Sequence, residues 1–170
     1  MSEVISLLKK EMDEYNIHFA KKPILIGGMA MEYYGIRKAG ADIDIVIHDD
    51  DYQMLASSNP DKRKDLWGDL GVVIGPFEIW RSIARFDYDF FKENAIDEGA
   101  AFVASLDRFL FMKIIAVDYG ASEKSKNDLQ LVKEYYFKHF VNQDFYNNME
   151  KHMSSYEKNN GAIFGGKYHN

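Results

Sequence analysis

The chain has 170 residues, 46% of them hydrophobic and 15% aromatic, which is enough for one globular domain with a buried core. Its 27 acidic and 21 basic side chains give a formal charge of −6, which argues against sequence-independent clamping of a nucleic-acid backbone by clustered cations. It contains no cysteine, which excludes disulfides, thiolate catalysis and cysteine-based zinc sites.

The N-terminal part predicts a helix, a strand and a second helix. Apolar residues at helical spacing predict an amphipathic helix over 2–16. The apolar run 24–26 predicts a buried strand that ends in a tight turn at Gly27 and Gly28. A short helix over 29–34 then follows.

The middle of the chain predicts three more strands and a helix. The segment 42–47 alternates with period two and is rich in branched residues, which makes it the clearest strand. Three consecutive aspartates favour a helix from 49 to about 57, because negative charge is stabilising at a helix start. Short strands are predicted at 71–74 and 77–80.

The C-terminal part predicts helices only. Ser105 is placed to cap an apolar helix over 106–117. A polar loop over 120–127 precedes an amphipathic helix over 128–140, and a weaker helix is expected around 145–156.

This order of elements predicts the α/β (α+β) class, with a small mixed β-sheet flanked by helices and followed by C-terminal helices. We expect a single domain over 1–158 with its core in 23–135. The Gly- and Asn-rich segment 159–170 is expected to be a flexible tail.

Asp42 and Asp44 form the most chemically suggestive pair. They lie two apart on a predicted strand, so both carboxylates project from one face, while Ile43 and Ile45 point into the core. Adjacent carboxylates repel each other unless a cation lies between them, and Mg²⁺ binds one or two carboxylates together with substrate phosphates. The alternative is a pair of solvated charges at a strand end.

Gly27 and Gly28 form the second feature. Two glycines between a strand and a helix N-terminus let the backbone approach a phosphate and direct N–H groups towards it. They match neither the dinucleotide fingerprint, which needs a third glycine, nor a P-loop, which ends in Lys-Ser/Thr. The alternative is an ordinary turn.

Together, the glycine turn and the Asp-x-Asp strand resemble the nucleotidyltransferase superfamily, whose signature joins these two features. The matching segments are Leu25–Ala30, Tyr34–Arg37 and Ala41–Ile45. The chain looks most like short bacterial and archaeal members related to AbiEii-type toxins, over roughly 23–135. The resemblance implies a nucleotidyltransferase fold, a Mg²⁺ or Mn²⁺ cofactor and a nucleoside triphosphate bound at Gly27 and Gly28.

The superfamily adds a third metal-binding carboxylate on a later strand. Glu78 has the required apolar-acid-apolar setting and is our prediction, although many members have Asp there. Asp89 is the competing candidate. The predicted metal ligands are therefore Asp42, Asp44 and Glu78.

The same resemblance implies that Lys113 holds the triphosphate charge and that Asp128 orients Lys113 or the acceptor. Ser125 stands where related proteins commonly have an Asp. Without the resemblance, Lys113 is a solvated helix residue, and Asp128 is an acid placed favourably in the first turn of a helix.

The expected activity is transfer of a nucleoside monophosphate to an acceptor hydroxyl on a small molecule, an RNA or a protein. The alternatives are an antibiotic-modifying adenylyltransferase, a non-catalytic nucleotide-binding protein, and an interaction protein with an antitoxin partner. We expect a cytoplasmic location and no membrane partner, because the sequence has neither a signal peptide nor a membrane span.

Overall fold

A computed structural model describes residues 2–66, 68–120 and 122–140, together with 147, 148, 151, 152 and 154. None of the helices in this part of the chain has the length and apolar surface that crossing a bilayer demands. The predicted tail at 159–170 lies outside the described residues, as does most of the predicted helix around 145–156.

Helices and short strands alternate along the described residues. The helices are α1 (Glu3–Glu14), α2 (Gly27–Tyr33), α3 (Asp49–Ser58), α4 (Tyr88–Lys92), α5 (Leu106–Asp118) and α6 (Glu123–Phe140), with a 3₁₀ turn at Pro60–Lys62. The strands are β1 (Ile24–Leu25), β2 (Ile43–Val46), β3 (Gly71–Ile74), β4 (Phe77–Trp80), β5 (Ser82–Ile83), β6 (Phe86–Asp87), β7 (Ile96–Asp97) and β8 (Phe102–Val103).

Six strands form one mixed sheet in the order β3-β4-β2-β1-β8-β7. β2 pairs in parallel with β4 and β1 pairs in parallel with β8, whereas the other neighbours are antiparallel. β5 and β6 form a separate hairpin. The predicted class, a mixed sheet flanked by helices, is confirmed.

The core is built from the alternate residues that the strands turn away from Asp44 and Glu78. Ile43, Ile45 and Ile79 are buried on the opposite side of their strands. The burial of these branched side chains favours this register, since a slip by one residue would move every one of them to the face that carries Asp44 and Glu78. Asp44 and Glu78 are therefore held on the other face of the sheet.

Three predicted boundaries need correction. β2 begins at Ile43, so Asp42 precedes the strand, and α2 begins at Gly27 instead of following the glycines. α6 begins at Glu123, inside the predicted polar loop. The reason is a capped start, because the Ser122 hydroxyl accepts a hydrogen bond from the Ser125 N–H at 3.4 Å.

The expectation that only helices follow β4 is wrong. The region 82–103 contains β5, β6, α4, β7 and β8. Each of these strands has only two residues, too few to show a period-two pattern. The strand β8 exists because β1 pairs with it, Ile24 beside Phe102 and Leu25 beside Val103.

Candidate functional site

Asp44 and Glu78 lie side by side on neighbouring strands. They are direct partners in the parallel pairing of β2 with β4, so both side chains project from the same face of the sheet. The Trp80 indole N–H donates to Oδ1 of Asp44 at 3.5 Å. The competing candidate, Asp89, is exposed on the short helix α4 and lacks the strand setting that the motif requires.

The Asp44 carboxyl is electrostatically perturbed. Burial raises its pKa to about 6, and the neighbouring charge of Glu78 contributes in the same direction. The hydrogen bond from Trp80 and the charge of Lys113 act against this rise, while Asp42 adds to it. A cation placed here would relieve the repulsion that the raised pKa reflects.

Gly27 is the residue that lets Asp44 occupy this position. Its φ of +64° lies in the left-handed region, and a Cβ added to it would stand 2.1 Å from Oδ2 of Asp44. At Gly28 the added Cβ would make ordinary contacts, the nearest being the Gly40 nitrogen at 3.5 Å, with Nη1 of Arg37 at 3.7 Å. Gly27 therefore must lack a side chain to accommodate Asp44, whereas Gly28 has room for a methyl group beside Gly40 and Arg37.

These contacts predict opposite effects for two alanine substitutions. Gly27→Ala should lower the free energy of unfolding by about 2 kcal/mol or more, because a left-handed backbone and a clash with a carboxylate combine. Gly28→Ala should be neutral or slightly stabilising, since the helix favours alanine there. Urea unfolding of both variants measures the difference, and equal losses would contradict the assigned contact between Gly27 and Asp44.

A second cluster brings together Arg37, Lys113 and Asp128. Arg37 donates to Asp128 through Nε at 2.7 Å and through Nη2 at 2.8 Å, and Lys113 Nζ lies 3.2 Å from Oδ2 of the same carboxylate. The Asp128 side chain is only 8% exposed. Burial acts to raise the pKa of Asp128, but the hydrogen bond from Arg37 and the charge of Lys113 outweigh it and hold that pKa below its ordinary value.

The simpler alternatives for Lys113 and Asp128 are both wrong. Asp128 lies beyond the first turn of α6, which begins at Glu123, so the helix dipole does not explain its place. Lys113 is not a solvated helix residue, because it pairs with Asp128 and its ammonium lies 5.6 Å from the centre of the Phe109 ring. Its charge also lowers the pKa of Asp44, which links the two clusters.

Sequence reasoning missed the roles of two cations. Arg37 lies in a segment that carried the family resemblance, but no partner could be assigned to it from spacing. Lys64 lies in a charged connection without any motif, yet its Nζ is 2.6 Å from Oε1 of Glu78 and 5.6 Å from the centre of the Trp80 ring. Neither pairing leaves a signal in one sequence, because the partners are far apart along the chain.

The three predicted metal ligands are not gathered into one group. Asp42 is exposed immediately before β2 and is close enough to influence the pKa of Asp44. Across the described residues there is no group of three or more His, Asp or Glu side chains that could hold a metal ion. Asp42, Asp44 and Glu78 therefore do not form a ready three-carboxylate set, although two carboxylates suffice for Mg²⁺ with substrate phosphates.

Comparisons with known proteins add little. No family model matches the chain, and no curated protein matches it. One similar solved structure is the crystal structure of an antigenic nucleotidyltransferase-like protein from Paracoccidioides brasiliensis. It is 15% identical with a TM-score of 0.40, covering 98% of this chain and 95% of that chain. Similarity at this level is too low to establish a shared fold or activity.

Proposed function

We propose that the protein is a divalent-metal-dependent nucleotidyltransferase, which transfers a nucleoside monophosphate from a nucleoside triphosphate to an acceptor hydroxyl. The observation that carries the proposal is the glycine pair between an acidic and a basic cluster. A Cβ added to Gly27 would collide with Asp44, and one added to Gly28 would stand 3.7 Å from Nη1 of Arg37, which binds Asp128 beside Lys113. Carboxylates suit a cation and the basic cluster suits phosphate oxygens, as a metal-bound triphosphate requires.

In this proposal Asp42 and Asp44 hold the Mg²⁺ or Mn²⁺ ion. When bound, the ion neutralises charge on the triphosphate. Lys113 supplies a further positive charge to the phosphates, as a point-charge donor. Asp128 positions Lys113, and Arg37 holds Asp128 in place through its two hydrogen bonds. Gly27 has no side chain that could collide with the Asp44 carboxylate.

The proposed reaction forms a bond between the acceptor oxygen and the α-phosphorus. The bond from that phosphorus to the bridging oxygen breaks, and pyrophosphate leaves with the electron pair. The acceptor hydroxyl loses its proton to a carboxylate, for which Glu78 is the candidate because it lies beside Asp44. In-line positioning and charge neutralisation supply most of the catalysis in such phosphoryl transfers.

Thermal unfolding with nucleoside triphosphates tests the binding half of the proposal. We expect the melting temperature to rise with each productive triphosphate in Mg²⁺ or Mn²⁺ and to stay unchanged in EDTA, because an acidic site repels uncoordinated phosphate. The control is the same protein with Mg²⁺ or Mn²⁺ and no triphosphate. Equal stabilisation with and without metal would contradict the metal-bridged model.

Transfer of label from an α-³²P triphosphate tests the catalytic half. Candidate acceptors are mixed RNA, protein and aminoglycoside-type small molecules, and labelled product should appear only with metal. Labelling of an antibiotic alone would identify a small-molecule adenylyltransferase. Binding without transfer would favour a non-catalytic nucleotide-binding protein. With neither binding nor transfer, an antitoxin-type protein partner becomes the remaining hypothesis.

A further inference from the structure

The Glu78 carboxylate forms an ion pair with the ammonium group of Lys64. Nζ of Lys64 is 2.6 Å from Oε1 of Glu78, in a pair whose side chains are 35% and 24% exposed respectively. The same ammonium lies over the Trp80 ring, 5.6 Å from its centre. The ammonium therefore contacts a carboxylate and also lies within cation–π distance of an aromatic face.

The backbone that carries Lys64 is anchored to the sheet. The Lys64 N–H donates to the Gly71 carbonyl at 2.8 Å, and the preceding Arg63 forms a bridge with Val72 on β3. Gly71 permits this approach, because a Cβ there would stand 2.8 Å from the Lys64 carbonyl oxygen and 2.7 Å from the Trp80 ring. The backbone of Lys64 is therefore held beside the strand pair β3–β4, within reach of Glu78.

Asp44 and Glu78, which are neighbours across β2 and β4, thus contact different side chains. Asp44 contacts Gly27 and Trp80, whereas Glu78 is bound by Lys64. In the part of the chain that the structure describes, no three acids form a common metal-binding group. A divalent ion at Glu78 would have to displace an ammonium at hydrogen-bonding distance, and Mg²⁺ also loses hydration water reluctantly.

We propose that Lys64 is a built-in cation that replaces a second metal ion at Glu78, so that the site binds a single divalent ion. This inference rests on the proposed function, because it takes Asp42 and Asp44 as the ligands of that ion. It predicts that metal stoichiometry, and not only activity, depends on Lys64. Neutralising Lys64 frees the Glu78 carboxylate beside Asp44 and creates a second site.

The test is a titration of the full chain with Mn²⁺ alone, with free Mn²⁺ measured by electron paramagnetic resonance. Wild type should bind one ion per chain and Lys64→Met should bind two. Lys64→Arg, which keeps the charge, should bind one, as should the double variant with Lys64→Met and Glu78→Gln. Lys62→Met removes an exposed lysine two residues away and is the matched control, with one ion expected.

The titration distinguishes a failure of the role proposed for Lys64 from a failure of the proposed function. One ion on wild type and still one on Lys64→Met would overturn the role of Lys64 while leaving the proposed metal site intact. Two ions on wild type would overturn it as well. Absence of Mn²⁺ binding by wild type would overturn the proposed function itself. If Lys64→Met does not fold, Lys64→Gln, with an unchanged circular dichroism spectrum, takes its place and must gain the second ion.

Discussion

Asp44→Asn is expected to abolish nucleotidyl transfer and to remove the stabilisation by Mg²⁺ and triphosphate, while raising the stability of the metal-free protein. Asn is nearly isosteric with Asp and its amide oxygen can still accept from the Trp80 indole N–H. The buried Ile43 and Ile45 are unaffected, so the fold should persist. The substitution removes one of the two proposed metal ligands. Mg²⁺ and triphosphate should therefore raise the melting temperature of wild type but not that of the variant.

The stability that Asp44→Asn is expected to gain in the absence of metal should depend on pH. The pKa of Asp44 is about 6 in the folded protein against an ordinary value of 3.8, so the folded state favours the protonated form. Its stabilising contribution is fully present below about pH 4 and is lost as the pH rises through 6. In EDTA, the free energy of unfolding of Asp44→Asn should therefore rise relative to that of wild type as the pH increases from 4 to 6. The difference should reach about 3 kcal/mol at neutral pH.

The measurement is urea unfolding at pH 4, 5, 6 and 8 in EDTA, followed by melting temperatures with Mg²⁺ and triphosphate. Asp13→Asn, an exposed acid on α1, is the matched control and should follow wild type throughout. A variant that keeps the full ligand-induced stabilisation would make Asp44 an ordinary strand-end carboxylate. Parallel pH profiles of the variant and wild type would contradict the electrostatic account of Asp44.

Arg37→Met should lower the free energy of unfolding by about 3 kcal/mol at pH 7. The substitution leaves the buried Asp128 without two short hydrogen bonds and with Lys113 as its remaining partner. Removal of one member of a buried ion pair is strongly destabilising, because the other charge stays buried. Nucleotide binding should weaken in the same variant, since Asp128 no longer positions Lys113.

The loss in Arg37→Met should itself depend on pH. The pKa of Asp128 is held below its ordinary value, so its stabilising contribution is present above about pH 4 and disappears as the pH falls through the lowered pKa. The difference between wild type and variant should therefore shrink in acid. Lys38→Met is the control, because Lys38 is 91% exposed in its pair with Glu32 and its loss should cost far less stability. Equal losses in both variants would contradict the buried-pair account.

Local patterns predicted the elements that bury an alternating or helical face. β2 and β4 were recognisable because their apolar residues alternate with Asp44 and Glu78, and the structure brings these two acids side by side. α5 was recognisable from its apolar run after Ser105. Ser105 is the N-cap residue of α5, as predicted. Its hydroxyl is buried without a hydrogen-bond partner, so the predicted capping hydrogen bond is wrong.

The missed features depend on contacts between distant parts of the chain. Two-residue strands such as β7 and β8 are specified by their partners and not by their own sequence. The pairs Arg37–Asp128 and Lys64–Glu78 likewise depend on how the sheet and α6 are arranged in space. The start of α6 was missed because its first turns are polar, and hydrophobic periodicity cannot distinguish a polar helix turn from a loop.

The two strands that pair with β1 are synthesised at different times, because β2 follows it closely in the sequence and β8 lies far downstream. During synthesis β2 emerges soon after β1, whereas Phe102 and Val103 of β8 follow only when most of the described sheet has been translated. Until then one side of β1 presents unpaired backbone groups, and such edges pair readily with other chains. A nascent chain that stalls before Val103 therefore exposes its most buried strand, which makes ribosome pausing in the 82–103 region a point of aggregation risk.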